Sequence, residues 1–151
     1  MTNEQLTAFV SGLAPGAEIK QGAQYLEVVI PAEQVHEVAK HLNESDETAF
    51  DFLFCLTGVD YTDHLKVVYH LESTVHKHLV VLKAKTADRN EPVVDSVADL
   101  WPTAEFHECE VFDLLGIKFK NNPDLRRLFL DDDWGHPLRL DYVDDIHIVS
   151  R

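Results

Sequence analysis

The sequence predicts an α+β fold in two layers, with helices packed on a mixed or antiparallel sheet and an extended aperiodic C-terminal segment. Three observations predict it: capped stretches with helical periodicity, stretches of alternating polarity bounded by turn residues, and a tail in which neither period persists. The 151 residues, 45% of them hydrophobic, suffice for one core. We therefore expect a single domain over 1–151, with 1–115 as its core and 116–151 as the extended segment.

Taken in order, the first element is a helix with Thr2 as N-cap and Gln5 three residues on. Its face is Leu6, Phe9, Val10 and Leu13, and Ala14-Pro15-Gly16 stops it. A hairpin follows, Glu18 to Lys20 and Tyr25 to Ile30, turning at Gln21-Gly22. Pro31 opens a second helix with Val35, Val38, Ala39 and Leu42 at core spacing. Ser45-Asp46 reads as the cap of a third, where Phe50, Leu53, Phe54 and Thr57 share a face and Gly58 ends it. Leu65, Val67, Tyr69 and Leu71 alternate as a half-buried strand, and after a turn at Glu72-Ser73-Thr74, His76 to Lys85 reads as its antiparallel partner. A loop through Arg89-Asn90-Glu91-Pro92 leads to a short helical turn capped by Ser96 and broken at Trp101-Pro102. A stronger helix then runs from Thr103 to Leu115, closed by Gly116.

From Gly116 to Asp145 no period persists, yet Leu125, Leu128, Phe129, Leu130, Trp134, Leu138 and Tyr142 keep the segment apolar. Apolar residues without periodicity predict an extended stretch pressed against a surface, its own domain's or a partner's.

Composition excludes several functions. Acidic residues outnumber basic ones 27 to 13, for a formal charge of −14, so nucleic acid and anionic lipid are poor partners, although net acidity also serves plain solubility. No apolar run reaches the ~20 residues that span a bilayer. Met1-Thr2-Asn3-Glu4-Gln5 lacks the basic start of a signal peptide, so a soluble protein in the compartment of its synthesis is expected. Cys55 and Cys109 imply neither a disulfide framework nor, being two, a complete iron–sulfur ligand set. The six glycines form no phosphate-binding loop, and no nucleophile elbow is present. His107, Cys109, Asp131 to Asp133, His136, Asp141, Asp144, Asp145 and His147 are possible metal ligands without a recognisable spacing. His76 and His78 are expected on one strand face, solvated or hydrogen-bonded.

The helix from Thr103 to Leu115 carries the functional argument. At 100° per residue its acids interleave with apolar residues on every side, which marks a helix buried on more than one face. Glu108, Glu110 and Asp113 then need partners, and the nearest cations are Arg126, Arg127 and Arg139. The extended segment is therefore expected to fold back over the helix through Arg–Glu and Arg–Asp pairs.

These residues carry a resemblance. Glu108-Cys109-Glu110-Val111-Phe112-Asp113-Leu114-Leu115-Gly116-Ile117-Lys118-Phe119, then Pro123-Asp124-Leu125-Arg126-Arg127-Leu128, then Gly135-His136-Pro137-Leu138-Arg139-Leu140-Asp141-Tyr142 resemble the signature of the 30-kDa subunit, lettered C, of respiratory NADH:quinone oxidoreductase (complex I). Upstream, Ala49 to Leu53 and Thr57 to Tyr61 look similar too. Cys109 stands where that family usually has arginine, Asn122 where it has histidine and Leu140 where it has lysine.

The resemblance implies a two-layer α+β subunit with no catalytic residue and no cofactor of its own. NADH, flavin, iron–sulfur clusters and quinone would belong to other chains. It implies packing against the quinone-site subunit, lettered D and of the 49-kDa type, and against other peripheral-arm subunits at the cytoplasmic face of the inner membrane. Glu108, Glu110, Asp113, Gly116, Pro123, Asp124, Arg126, Arg127, His136, Pro137, Arg139, Asp141 and Tyr142 would supply the interface and structural ion pairs. The equivalent subunit of a related membrane-bound hydrogenase, and a small metal-dependent enzyme using the Asp/His-rich tail, are the alternatives.

Overall fold

The computed structural model describes residues 1–144. Helix α1 (Asn3–Leu13) begins at a capping box: the Thr2 hydroxyl accepts from the Gln5 amide while the Gln5 side chain accepts from the Thr2 amide. Strands β1 (Glu18–Gln21) and β2 (Leu26–Pro31) form the hairpin, and a 3-10 turn (Ala32–Gln34) leads into α2 (Val35–Glu44). Strands β3 (Phe52–Asp60), β4 (Leu65–Ser73) and β5 (His78–Lys85) follow. A five-stranded sheet results, in the order β1-β2-β5-β4-β3, antiparallel except for the parallel β2–β5 pair. Its core face carries Val28, Ile30, Leu65, Val67, Tyr69, Leu71 and Leu82, and meets Leu6 and Val10 of α1 and Val35 and Leu42 of α2. The observed class is α+β with a mixed sheet.

Residues 52–60 correct the expectation of a third helix capped by Ser45-Asp46. They form β3, the edge strand beside β4. The pairing slips between Leu53 and Cys55, a bulge that adds one residue on this strand. Leu53 and Leu56 therefore share the buried face three residues apart, which imitates helical spacing. Ser45 instead opens a turn in which the Thr48 hydroxyl donates to the Leu42 carbonyl at 2.8 Å. The expectation for His76 is corrected as well: it lies in the turn before β5 and contacts the Asp46 carbonyl, while His78 packs against the Phe50 ring.

Two further strands, β6 (Val93–Asp95) and β7 (Lys118–Lys120), pair in parallel away from the main sheet. They flank α3 (Ala104–Leu115) in sequence. Ser96 opens the expected short turn, its hydroxyl accepting from the Ala98 amide at 3.1 Å and the Val97 carbonyl from the Trp101 amide at 3.0 Å, while its own amide donates to the Lys120 carbonyl at 2.8 Å. Ile117 and Phe119 belong to the core, so the aperiodic stretch begins after Lys120. Helix α3 packs on the core face of β3, where a Cβ at Gly58 would lie 2.4 Å from Leu115. That close approach holds α3 against β3, the strand that ends at Asp60.

Candidate functional site: helix α3 and the strap that crosses it

Helix α3 buries Ala104, Glu108, Cys109, Val111, Asp113 and Leu115, which lie on more than one side of it. Residues 121–144 cross its C-terminal half as a strap. The Asp113 carboxylate, fully buried, receives Arg127 Nε on one oxygen at 2.6 Å. Its other oxygen accepts backbone amides from Phe129 at 2.7 Å, Leu130 at 3.1 Å and Leu128 at 3.3 Å. Burial pushes this carboxyl up, but the amide and guanidinium hydrogen bonds outweigh it and hold the group below its ordinary value. The rest of the Arg127 fork donates to the carbonyls of Trp134 at 3.0 Å and Gly135 at 2.8 Å, which closes the strap into a loop around one ion pair.

The strap also satisfies the end of α3, whose last carbonyls have no partner within the helix. His136 Nδ1 meets the Asp113 carbonyl at 3.1 Å, the Leu138 amide donates to Leu114 at 3.0 Å, and Arg139 Nε donates to Leu115 at 2.6 Å. A guanidinium at this end also complements the helix dipole. Gly116 caps the helix with φ +74°, and the His136 ring lies directly over it. Farther along, the Tyr142 ring covers Gly135, and its hydroxyl bonds Asp144.

A second anchor has no counterpart among the sequence expectations. Asp60, at the end of β3, has a nearly buried carboxylate that takes both arms of the Arg89 fork, and the Leu140 amide adds a third donor at 2.9 Å. Arg89 reaches Asp141 of the strap at 3.1 Å, and its carbonyl accepts from Arg139 at 3.0 Å. The Arg89 fork, the Leu140 amide and the Thr62 amide hold Asp60 far below the ordinary carboxylate range against its desolvation.

Four of the residues expected in these pairs are corrected. Arg126 turns to the neighbouring Asp124 at 3.0 Å, with both side chains exposed, and does not reach α3. Arg139 meets carbonyls rather than a carboxylate. Glu108, fully buried, has no arginine: Ser96 Oγ donates to it at 2.5 Å, Asn122 Nδ2 at 3.0 Å and the Val97 amide at 3.1 Å. Glu110 is half-buried and has no ion pair among the described residues. Cys109 donates to the Asp124 carbonyl at 3.3 Å, so the thiol still ties α3 to the strap. Pro123 is exposed and Pro137 half-buried, and the expected ligands Asp145 and His147 lie outside the described residues. Among the described residues no three His, Cys, Asp or Glu side chains gather as a metal would require.

Burial raises the pKa of Glu108, against the pull of its hydrogen bonds from Ser96, Asn122 and Val97. A carboxyl whose folded value is raised stabilises the fold more as pH falls from its folded pKa towards its unfolded one, and least above the folded pKa. Wild type is thus expected to gain stability relative to Glu108→Gln as pH drops from neutral towards the ordinary carboxylate range, read as the difference in melting temperature at matched pH. A flat or opposite trend contradicts this assignment.

The strap exposes apolar side chains among its acids. Phe129 is 68% exposed, Leu138 58%, Leu140 65% and Val143 83%, beside a hollow of ≈ 550 Å³ lined by Phe112, Gly116, His136, Arg139, Tyr142 and Val143. A backbone pinned this firmly with its apolar side chains turned outward is chemically suited to docking. Among the described residues no helix is long and apolar enough to cross a membrane.

Comparison with known proteins gives concordant likenesses. A family profile described as "Respiratory-chain NADH dehydrogenase, 30 Kd subunit" matches residues 28–145. The NADH-quinone oxidoreductase C/D subunit of Phocaeicola vulgatus is 46% identical over 122 residues, which is 80% of this chain and 23% of that protein. The NADH-quinone oxidoreductase C subunit of Chloroherpeton thalassium is 43% identical over 108 residues, 70% of this chain and 45% of that protein. The chain thus spans less than half the length of these two relatives. The corresponding C subunit of Moorella thermoacetica is 40% identical over 133 residues, 86% of this chain and 88% of that protein. Among solved structures, a chain of the membrane-bound sulfane sulfur reductase, an archaeal respiratory membrane complex, superposes with a TM-score of 0.77 at 26% identity, over 95% of this chain and 86% of that one.

Proposed function

The chain belongs to the family of the 30 Kd subunit of respiratory-chain NADH dehydrogenase, and on that premise we propose that it is the non-catalytic 30-kDa (C) subunit of a proton-translocating NADH:quinone oxidoreductase. In this reading it packs against the 49-kDa-type quinone-site subunit in the peripheral arm, on the cytoplasmic face of the membrane, and keeps that neighbour in working geometry. Hydride oxidation, electron transfer and proton pumping belong to other chains, as do NADH, flavin, iron–sulfur clusters and quinone. The observation that carries the reading is the strap: a segment fixed by Asp113–Arg127 and Asp60–Arg89, with Leu138, Leu140 and Val143 facing outward. Relatives whose name joins the letters C and D support the quinone-site subunit as the neighbour.

A tagged copy is expected to co-purify with a homologue of the quinone-site subunit, and a copy that never does so overturns the proposal. A second reading, the equivalent subunit of a related respiratory membrane complex such as a membrane-bound hydrogenase, is favoured by the likeness to the sulfane sulfur reductase chain. The two separate on which electron-donor subunits accompany the tagged copy. An NADH-oxidising flavoprotein supports the first, and hydrogenase or sulfur-reducing components support the second.

A further inference from the structure

The face of the main sheet turned away from the helices carries a second surface of different chemistry. Register sets Lys66 directly opposite Lys85, and in the adjacent row Lys83 lies between Val29 and Val68. One row farther on, Lys20 stands beside Glu27. Four of the chain's 13 basic residues thus gather on one face of a protein with a formal charge of −14. Glu27 answers two of them, Lys83 at 3.2 Å and Lys20 at 3.4 Å. Lys66 and Lys85 have no carboxylate within ion-pair distance among the described residues, although Glu18 lies on the same face; Lys66 sits over the Tyr61 ring at 4.7 Å. Burial together with the Lys83 and Lys85 ammonium groups depresses the pKa of Lys66.

Like charges directly opposite on antiparallel strands destabilise a sheet, and for this pair the fold supplies only the Tyr61 ring and carboxylates beyond ion-pair distance. The same face is apolar between its charges. Val29, Val68 and Val81 are buried although no helical layer covers them, while Phe52 and Phe54 lie with ring centroids 6.0 Å apart and remain exposed. A sheet face meant only for water is polar along its strands; here valines and aromatic rings share the face with four ammonium groups, two of them without a carboxylate in ion-pair distance among the described residues.

We propose that this face docks an acidic segment of a partner polypeptide, its carboxylates set against Lys66 and Lys85 and its apolar side chains resting on Phe54 and Tyr61. An anionic membrane surface would meet the same lysines but also the long-range repulsion of the acidic remainder, whereas a short acidic segment meets the lysines locally. The strap lies with α3 on the opposite side of the sheet, so a partner held there leaves this face free and the chain can bridge two partners. The inference rests on the reading that the chain is one subunit of an assembly.

The test uses the assembly purified through a tag on this chain and treated with a water-soluble carbodiimide, which joins ammonium to carboxylate groups in contact. Lys83–Glu27 serves as the internal control. Lys66 and Lys85 are expected to couple to Asp or Glu residues clustered in one segment of another polypeptide. Lys66→Gln/Lys85→Gln is expected to retain that polypeptide about five- to tenfold less well at moderate salt, with a melting temperature no lower than that of wild type. Coupling confined to Glu27 with Lys83 and Lys20, or a photoreactive residue at Phe54 that captures lipid alone, overturns the inference. A tagged chain that purifies without companions ends the assembly reading itself, and this inference with it.

Discussion

Replacing Arg127 with alanine is expected to free the strap from α3 while the sheet and helices stay folded. The variant strands Asp113, a fully buried carboxylate, with three backbone amides and no cation. Breaking a buried pair on one side typically costs about 3–5 kcal/mol, most of it the uncompensated charge. The chain can escape that cost by peeling the strap away and letting water reach Asp113, because local opening needs less free energy than global unfolding. Amide exchange at Phe129 and Leu130, and limited proteolysis within 121–144, should therefore rise sharply while exchange in β4 and β5 stays slow. Arg127→Lys is expected to fail as well, since an ammonium group cannot hold Asp113 and the Trp134 and Gly135 carbonyls in one plane. The pH dependence has a definite sign. A carboxyl with a depressed folded pKa stabilises above the ordinary carboxylate range and loses that contribution as pH falls through its folded value. The wild-type strap should accordingly loosen in acid. Unchanged amide protection in Arg127→Ala would refute the clamp.

Gly116→Val is expected to have the next largest effect, because two independent constraints meet at that residue. Its φ of +74° is left-handed, which costs an L-residue about 1–2 kcal/mol, and more for a β-branched one. An added Cβ would also lie 2.6 Å from Cδ2 of the His136 ring. The ring is held there by its contact with the Asp113 carbonyl, so relieving the clash means giving that contact up. Together the two effects should reach roughly 2–4 kcal/mol, seen as a lower melting temperature and faster exchange at the Leu138 amide. Gly116→Asn separates them, since asparagine tolerates the left-handed region yet keeps the clash. A Gly116→Val protein that melts like wild type, with its Leu138 amide protected, contradicts this account.

Helices α1, α2 and α3, the first hairpin and the β4–β5 pair were legible in the sequence because their periods and caps are local. Strand β3 was not: its bulge between Leu53 and Cys55 resets the alternation and mimics a helical stripe. Strands β6 and β7, three residues each, are too short to show any period. At the site, interleaved acids on α3 signalled burial, and a buried Asp113 calls for a cation from the segment that follows. Which arginine answers depends on chain path, and Arg126 and Arg127 differ by one position and by everything they touch. Glu108 shows the limit of the pairing argument, because Ser96, Asn122 and a backbone amide satisfy its oxygens without a charge. Asp60 and Arg89, 29 residues apart, leave no local trace, since an ion pair between a strand end and a loop has neither period nor spacing.

The account's central claim is that the strap is pinned by Asp113–Arg127 so that its exposed apolar side chains can hold a partner. Retention of the quinone-site homologue by three tagged chains tests it most directly: wild type, Arg127→Ala, and Leu138→Asp/Leu140→Asp. Wild type should retain the homologue near stoichiometrically, and both variants should lose most of it although their sheets remain folded. Equal retention by all three would mean that neither the clamp nor the surface it presents takes part in docking.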